Sequence, residues 1–145
     1  MHPVLVVDGH SVIHAWDDLR DLHRTRGAAA RDELVRRLGF LHDSSDWHVV
    51  VIFDGRKPEV GEDHVPRGLQ VFYSDAGRSA DHLIERLAVK YAATCRLTVA
   101  TDDNLVRQAG MACGGDAIST HGLRLLLEHE EKAFRHAHRR RLREE

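Results

Sequence analysis

The stretch VLVVDG at residues 4–9 places four consecutive apolar residues before a carboxylate and a glycine. Two further stretches also lead from mostly apolar residues into a carboxylate, HVVVIFDG at residues 48–55 and LTVATDD at residues 97–103, and LQVFY at residues 69–73 is a weaker fourth apolar run. Their apolar residues are mostly continuous rather than alternating, which is typical of strands buried on both faces of a parallel sheet. The pattern therefore predicts four strands of one sheet.

Segments with a helical spacing of apolar residues lie between and after these strands. The spacing predicts helices over residues 28–43, 79–94 and 104–111, and a last helix from about residue 120 onward. Ser79 is the expected N-cap of the second of these helices. Strands that alternate with helices form a parallel sheet covered on both sides. We therefore expect an α/β fold, a three-layer α/β/α sandwich with a mainly parallel central sheet.

The composition favours one folded domain in a reducing compartment. A chain of 145 residues, 42% apolar and 30% charged, has the length for one hydrophobic core. Its two cysteines, Cys95 and Cys113, are too few for a disulfide framework. The N-terminal apolar run ends at Asp8 and is too short for a signal peptide or a membrane span. We expect a cytoplasmic protein with no membrane partner, and no oligomeric state is predicted.

Acidic residues follow three of the predicted strands at the point where each strand ends. These residues are Asp8, Asp54 and the pair Asp102 and Asp103. In an open parallel sheet, ligands bind in the crevice outside the carboxyl ends of the strands. Three strands would therefore deliver carboxylates to one edge of the sheet.

A predicted helix supplies two further acids to this edge. Asp81 lies in its first turn, and Glu85 follows one turn later on the same face. Carboxylates held close together repel one another unless they are protonated or bridged by a cation. Oxygen ligands without histidine or cysteine at fixed spacing favour Mg²⁺ or Mn²⁺ over zinc. Such ions neutralise a phosphodiester and align a water for in-line attack, which is the chemistry of a metal-dependent nuclease.

Two other interpretations of these acids are open. Each aspartate can cap the helix or turn that follows it, although Asp102 and Asp103 are not both expected to be caps. Asp8 is also followed by Gly9, which permits close approach of the backbone. A phosphate-accepting hydrolase is the second alternative, but its nucleophile needs another acid two residues later, where this chain has His10.

Four segments stand in order over nearly the whole chain: VVDGHSVI at 6–13, VIFDG at 51–55, SADHLIE at 79–85 and VATDD at 99–103. Together they resemble the YacP-like NYN domain family of the PIN-like nuclease superfamily. The resemblance implies a PIN-like α/β/α sandwich and a Mg²⁺- or Mn²⁺-dependent endoribonuclease acting on single-stranded RNA. Some bacterial members act on mRNA at the ribosome, so RNA and the ribosome are the implied partners.

The resemblance assigns the catalytic metal site to Asp8, Asp81 and Asp103. Thr101 is expected to orient the loop that carries Asp103. Asp102 stands where relatives often have Ser or Asn, and as an extra acid it is expected to strengthen metal binding. In-line attack by a metal-activated water would leave a 5′-phosphate and a 3′-hydroxyl on the products.

Three more residues are expected to support this site. Asp54 and Glu85 are expected to assist the metal ligands. Ser11 occupies a position where relatives commonly have Asn, and a hydroxyl differs from an amide in its reach and hydrogen bonding. This departure supports an alternative function, a catalytically weakened RNA- or ribosome-binding module.

Basic residues beside the acids are candidate contacts to RNA phosphates. Arg56 and Lys57 follow Asp54, and Arg78 precedes Asp81. The alternative is that all three are solvated loop cations.

The C-terminal segment, residues 132–143, has six basic and no acidic side chains, and Arg139, Arg140 and Arg141 are its candidate RNA contacts. The rest of the chain has 15 basic and 23 acidic side chains, a net charge of −8, although the whole chain sums to −2. We expect a nuclease domain at residues 1–131 and a basic C-terminal helical extension at residues 132–145. The alternative is a solvated helix end, where cations also suit the helix dipole.

Overall fold

The computed structural model describes residues 1–55, 69–74 and 79–144. At its centre lies a sheet of five strands: β1 (Pro3–Asp8), β2 (His48–Asp54), β3 (Gln70–Ser74), β4 (Arg96–Ala100) and β5 (Asp116–Ile118). They are ordered β3-β2-β1-β4-β5 across the sheet, and all four pairs of neighbours are parallel. The predicted parallel sheet is confirmed.

Helices cover both faces of this sheet. They are α1 (Gly9–Ala15), α2 (Asp17–Thr25), α3 (Gly27–Ser44), α4 (Ala80–Ala92), α5 (Asn104–Ala112) and α6 (Thr120–Glu144). Buried residues of α1, α2, α3 and α6 form one core with the sheet, and those of α4 and α5 form the other. The α/β sandwich is therefore confirmed. None of the helices in this part of the chain combines the length and the apolar composition needed to cross a membrane.

The position of β1 in the middle of the sheet explains its continuous apolar run. Leu5 and Val7 pack in the core under α3, and Val4 and Val6 pack in the core under α4. All four side chains are at most 1% exposed. Burial of a side chain of this size contributes about 1.5–3 kcal/mol to folding, so both faces of β1 must be apolar.

Three short elements were not predicted from the sequence. α1 spans seven residues, and α2 spans nine mostly polar residues, of which Leu19 is the only one classed as fully buried. β5 is an edge strand of three residues. Elements this short contain too few repeats of an apolar pattern to be recognised by periodicity.

The strand order reverses at β1, because the chain first builds β2 and β3 on one side and then β4 and β5 on the other. The crevice at the carboxyl ends of the strands at this point is the usual ligand site of open parallel sheets. Gly9 follows β1 here. A Cβ atom on Gly9 would lie 2.5 Å from the Phe53 ring and 2.9 Å from the Ile52 carbonyl oxygen. Only glycine therefore allows α1 to begin against β2.

Candidate functional site

Asp8 is held in a fixed position at the end of β1. Its carboxylate is 3% exposed, and Oδ2 accepts hydrogen bonds from the hydroxyls of Ser11, at 2.9 Å, and Thr101, at 2.8 Å. Oδ1 accepts a longer bond of 3.4 Å from the Ser11 backbone N–H, so Asp8 also caps α1. These bonds connect β1, α1 and the residue that follows β4, and they orient a buried carboxylate toward the crevice.

Thr101 links Asp8 to the next acid along the sheet edge. While its hydroxyl donates to Asp8, it accepts a hydrogen bond of 3.0 Å from the backbone N–H of Asp103. The Asp103 carboxylate caps α5 through Oδ1, which accepts from the N–H groups of Leu105 at 2.8 Å and Val106 at 3.2 Å. In the described part of the chain Oδ2 of Asp103 accepts no hydrogen bond, so this oxygen is available to a ligand.

Asp81, in the first turn of α4, is an acid whose pKa responds to the other acids of this edge. Burial and the negative charges of Asp103, Asp8, Asp54 and Glu85 together raise the pKa of the Asp81 carboxyl. A charge acts in this way only when it is near. The charges of these four acids therefore act on Asp81, although they come from three strand ends and the helix of Asp81 itself.

Asp54 positions the helix that carries Asp81. Its Oδ1 accepts hydrogen bonds from the Ser74 hydroxyl at 3.0 Å and from the Ala80 backbone N–H at 2.9 Å. Ser79 occupies the N-cap position of α4 as predicted, but its side chain makes no capping bond. The cap comes instead from Asp54, an acid at the end of β2.

Asp102 does not join the group around Asp81. Its Oδ1 accepts a hydrogen bond of 2.9 Å from the backbone N–H of Thr120, and its Oδ2 accepts one of 2.7 Å from the Thr120 hydroxyl. Asp102 therefore binds the first residue of α6 from a distant part of the chain, while Ser119, which directly precedes α6, accepts a hydrogen bond from the Gly122 N–H. Only Asp103 is the N-cap of a helix, α5, which agrees with the expectation that these two neighbours are not both N-caps.

The predicted basic residues are only partly described. Arg56, Lys57 and Arg78 lie outside the described residues. Arg139, Arg140 and Arg141 lie on α6, where every residue from 131 to 144 is exposed. The expected boundary after Glu131 falls inside this helix, which continues through it without a break.

Helix geometry separates the three arginines of α6. The ring of Phe134 contacts Phe40 of α3 with centroids 5.4 Å apart, which marks the side of α6 that faces the body of the protein. Arg141 follows Phe134 by seven residues and shares its side. Arg139 lies on the opposite side of the helix, and Arg140 lies between them. We call this opposite side the outer basic face; its members are Lys132, His136, Arg139 and Arg143, spaced by four, three and four residues.

Two residues that complete the site were missed at the sequence level. Ser74 ends β3 and binds Asp54, and Thr120 begins α6 and binds Asp102. Their only signal in the sequence is a hydroxyl at the end of an apolar run or at the start of a helix.

The donor set at this edge fits Mg²⁺ or Mn²⁺ better than zinc, because carboxylate oxygens without histidine or cysteine suit these ions. In residues 1–55, 69–74 and 79–144, no three His, Cys, Asp or Glu side chains form a ready-made metal cage. Mg²⁺ does not require one, since it keeps several waters and often binds through one or two carboxylates. The pKa of Asp81 is raised by burial and then by the repulsion of the neighbouring carboxylates, and a bound cation would relieve that repulsion.

Comparisons with known proteins identify similar sequences and folds. The YacP protein of Bacillus subtilis (strain 168) is 30% identical over 94 residues, which cover 59% of this chain and 51%, about half, of the length of that relative. Two crystal structures of Rae1 (YacP) from Bacillus subtilis, one of a mutant form, superpose with a TM-score of 0.82 at 26% identity. They cover 98% and 97% of this chain, and the chain covers 85% and 82% of theirs.

A protein-family model also matches this chain. The model of the YacP-like NYN domain matches residues 5–145, which includes the acidic edge and α6. The match thus spans nearly the whole chain, as the shared fold does. The chain belongs to the YacP-like NYN domain family.

Proposed function

We propose that the protein is a Mg²⁺- or Mn²⁺-dependent endoribonuclease that hydrolyses single-stranded RNA and leaves 5′-phosphate and 3′-hydroxyl ends. The observation that carries this proposal is the arrangement at the carboxyl ends of β1 and β4, where the Thr101 hydroxyl joins the buried carboxylate of Asp8 to the loop of Asp103. A group of acids that repel one another at the edge of an open sheet is suited to binding a cation and, through it, an anionic substrate.

Each residue of the site has a proposed role. Asp8, Asp81 and Asp103 would hold the metal ion, and Ser11 and Thr101 fix the carboxylate of Asp8 for that purpose. When bound, Mg²⁺ or Mn²⁺ would neutralise the phosphodiester and lower the pKa of the attacking water.

Asp54 and Glu85 would play supporting roles. Asp54 fixes the start of α4 and hence the position of Asp81. Glu85 adds negative charge at Asp81. Asp102 is a weaker candidate ligand than the other acids, because its charge is not among those that raise the pKa of Asp81 and its carboxylate binds Thr120 at the start of α6.

The proposed substrate context is mRNA at the ribosome, in the cytoplasm, as the family resemblance implies. The separation of charge supports an RNA partner. Residues 132–143 carry six basic side chains, whereas the rest of the chain has a net charge of −8. Exposed cations of the outer basic face would bind phosphates at a distance from the acids that repel them.

Cleavage of end-labelled single-stranded RNA in Mn²⁺ and in EDTA tests the proposal. Asp8→Asn and Asp103→Asn should each lower the cleavage rate by at least about a hundredfold while the circular dichroism spectrum stays unchanged. Asp32→Asn is the matched control, because Asp32 is an exposed acid of α3 that has no hydrogen bond among the described residues. Full activity of both site variants would refute the proposal.

A second candidate is an RNA- or ribosome-binding module with weakened catalysis. It is favoured by the departure at Ser11 and by the helix-capping bonds that Asp8 and Asp103 already accept. Tight RNA binding that survives EDTA, with no cleavage in any divalent metal, would favour this candidate over the nuclease.

A further inference from the structure

A small polar cavity opens beside the acidic edge, at the carboxyl ends of β4 and β5. Its volume is about 350 Å³, within the range of small-ligand pockets. It is lined by Thr101, Asp102, Asn104, Arg107, Ala117 and Ser119. Thr101 lines the cavity and also donates its hydroxyl to Asp8 of the candidate catalytic site. The cavity is therefore directly adjacent to that site.

Two side chains of this cavity are free to bind a ligand. Asn104 and Arg107 are exposed and three residues apart on α5, so they lie on the same side of the helix. Within the described residues, neither the Asn104 amide nor the Arg107 guanidinium has a hydrogen-bond or ion-pair partner. A guanidinium binds phosphate through two parallel hydrogen bonds, and an amide both donates to and accepts from a base edge.

The one acid in the lining does not oppose an anionic ligand as strongly as a free carboxylate would. Both oxygens of Asp102 are engaged by Thr120, which directs the carboxylate toward the start of α6. The other polar side chains of the cavity carry no negative charge: Asn104 and Ser119 are neutral, and Arg107 is a cation.

We propose that this cavity is a subsite for the ribonucleotide next to the phosphodiester that is cleaved. Arg107 binds the phosphate of that nucleotide, and Asn104 contacts its base. The inference rests on the proposed nuclease function and deepens it, because it names where the adjacent nucleotide is held. Arg107 and Asn104 are binding residues and take no part in the bond-breaking step.

The test compares Arg107→Gln with Arg96→Gln. Arg96 is also an exposed arginine without an ion pair in the described part of the chain, but it begins β4 at the opposite edge of the sheet. Binding of a fluorescent five-nucleotide single-stranded RNA is measured in EDTA, and cleavage kinetics are measured in Mn²⁺. Arg107→Gln should raise Kd and KM by about tenfold with little change in kcat, and Arg96→Gln should match the wild type.

A second variant tests the contact to the base. Asn104→Ala should reduce the differences in Kd among oligonucleotides of A, C, G and U, while the mean Kd changes less than in Arg107→Gln. A base preference identical to that of the wild type would overturn the role of Asn104.

The outcomes separate this inference from the proposed function. If the wild type cleaves RNA and Arg107→Gln binds and cleaves as well as the wild type, the subsite is refuted and the nuclease stands. If the wild type cleaves nothing but Arg107→Gln still weakens binding, the nuclease fails and the nucleotide contact stands. Inorganic phosphate and unlabelled oligonucleotide are also compared as competitors of the fluorescent RNA. If millimolar phosphate displaces the RNA as effectively as the oligonucleotide does, the cavity is a simple anion site and the proposal is overturned.

Discussion

The hydroxyl of Thr101, which follows β4, donates a hydrogen bond of 2.8 Å to Oδ2 of Asp8, at the end of β1. The two residues are 93 positions apart in the chain. Because the same hydroxyl accepts from the Asp103 backbone N–H, one side chain fixes the relative position of two candidate metal ligands.

Replacement of Thr101 by valine should remove both bonds at little change in volume. We expect Thr101→Val to destabilise the fold by about 1–3 kcal/mol, because a buried carboxylate and a backbone N–H each lose a partner. Urea unfolding measures this loss. Thr98→Val is the control in β4, since the Thr98 hydroxyl has no hydrogen bond within the described residues, and an equal loss in both variants would contradict the prediction.

Replacement of Asp81 by asparagine should change the response of the protein to metal. A carboxyl whose pKa is raised in the folded state contributes stability while it is protonated, and this contribution is lost as the pH rises through the raised pKa. At neutral pH without metal, ionised Asp81 therefore costs stability, and Asp81→Asn should unfold at a higher temperature than the wild type. Added Mn²⁺ should stabilise the wild type and reduce or reverse that difference. If Mn²⁺ raises the unfolding temperature of Asp81→Asn as much as that of the wild type, Asp81 is excluded as a metal ligand.

Acid should weaken the contact between α2 and α3. The Arg37 guanidinium binds Asp18 of α2 and, at 3.0 Å, Glu33 of α3. Hydrogen bonds from Arg36 and Arg37 lower the pKa of Glu33, and the bond from Arg37 lowers the pKa of Asp18. Lowered carboxyl pKa values stabilise the fold above the ordinary values of 4.5 and 3.8, and this stability is lost as the pH falls through the lowered values.

Arg37→Gln should therefore cost about 0.5–1 kcal/mol at neutral pH and less at about pH 3. Urea unfolding across this range measures the difference from the wild type. Arg31→Gln is the control on the same helix, because Arg31 has no ion pair in the described part of the chain. If the difference in the free energy of unfolding between Arg37→Gln and the wild type stays constant from neutral pH to about pH 3, the prediction is contradicted.

The two sides of α6 should differ in their effect on RNA binding. Arg139→Gln should reduce the slope of log Kd against log salt concentration by about 0.7, the contribution of one phosphate contact to a single strand. Arg141→Gln removes the same charge from the side that Phe134 occupies and should leave the slope unchanged. Equal effects of the two variants would show that net charge, and not the outer basic face, governs binding. Truncation after Glu131 should make the salt dependence shallower than either single variant does.

The sheet and the longer helices could be predicted because their physical cause is local. β1 and β2 are buried on both faces and are therefore continuously apolar. α1 and β5 were missed because seven and three residues contain too few repeats of a pattern. Acids from three strand ends could be expected to influence Asp81, because parallel strands place their carboxyl ends at one edge.

The partners of those acids could not be predicted, because they depend on how helices lie relative to strands. Asp54 binds the first residue of α4 from 26 residues away, and Asp102 binds the first residue of α6 from 18 residues away. Capping rules look for the cap next to the helix, where Ser79 stood as the expected residue for α4. The short distance in space between these groups is a property of the tertiary fold and leaves no mark in the local sequence.

The bonds between Asp102 and Thr120 join the start of α6 to the loop that carries Asp103, a candidate metal ligand. A helix of 25 residues is about 37 Å long, so the far end of α6 lies well away from that loop. In the proposed nuclease, the outer basic face would therefore bind RNA at a distance from the bond that is cut.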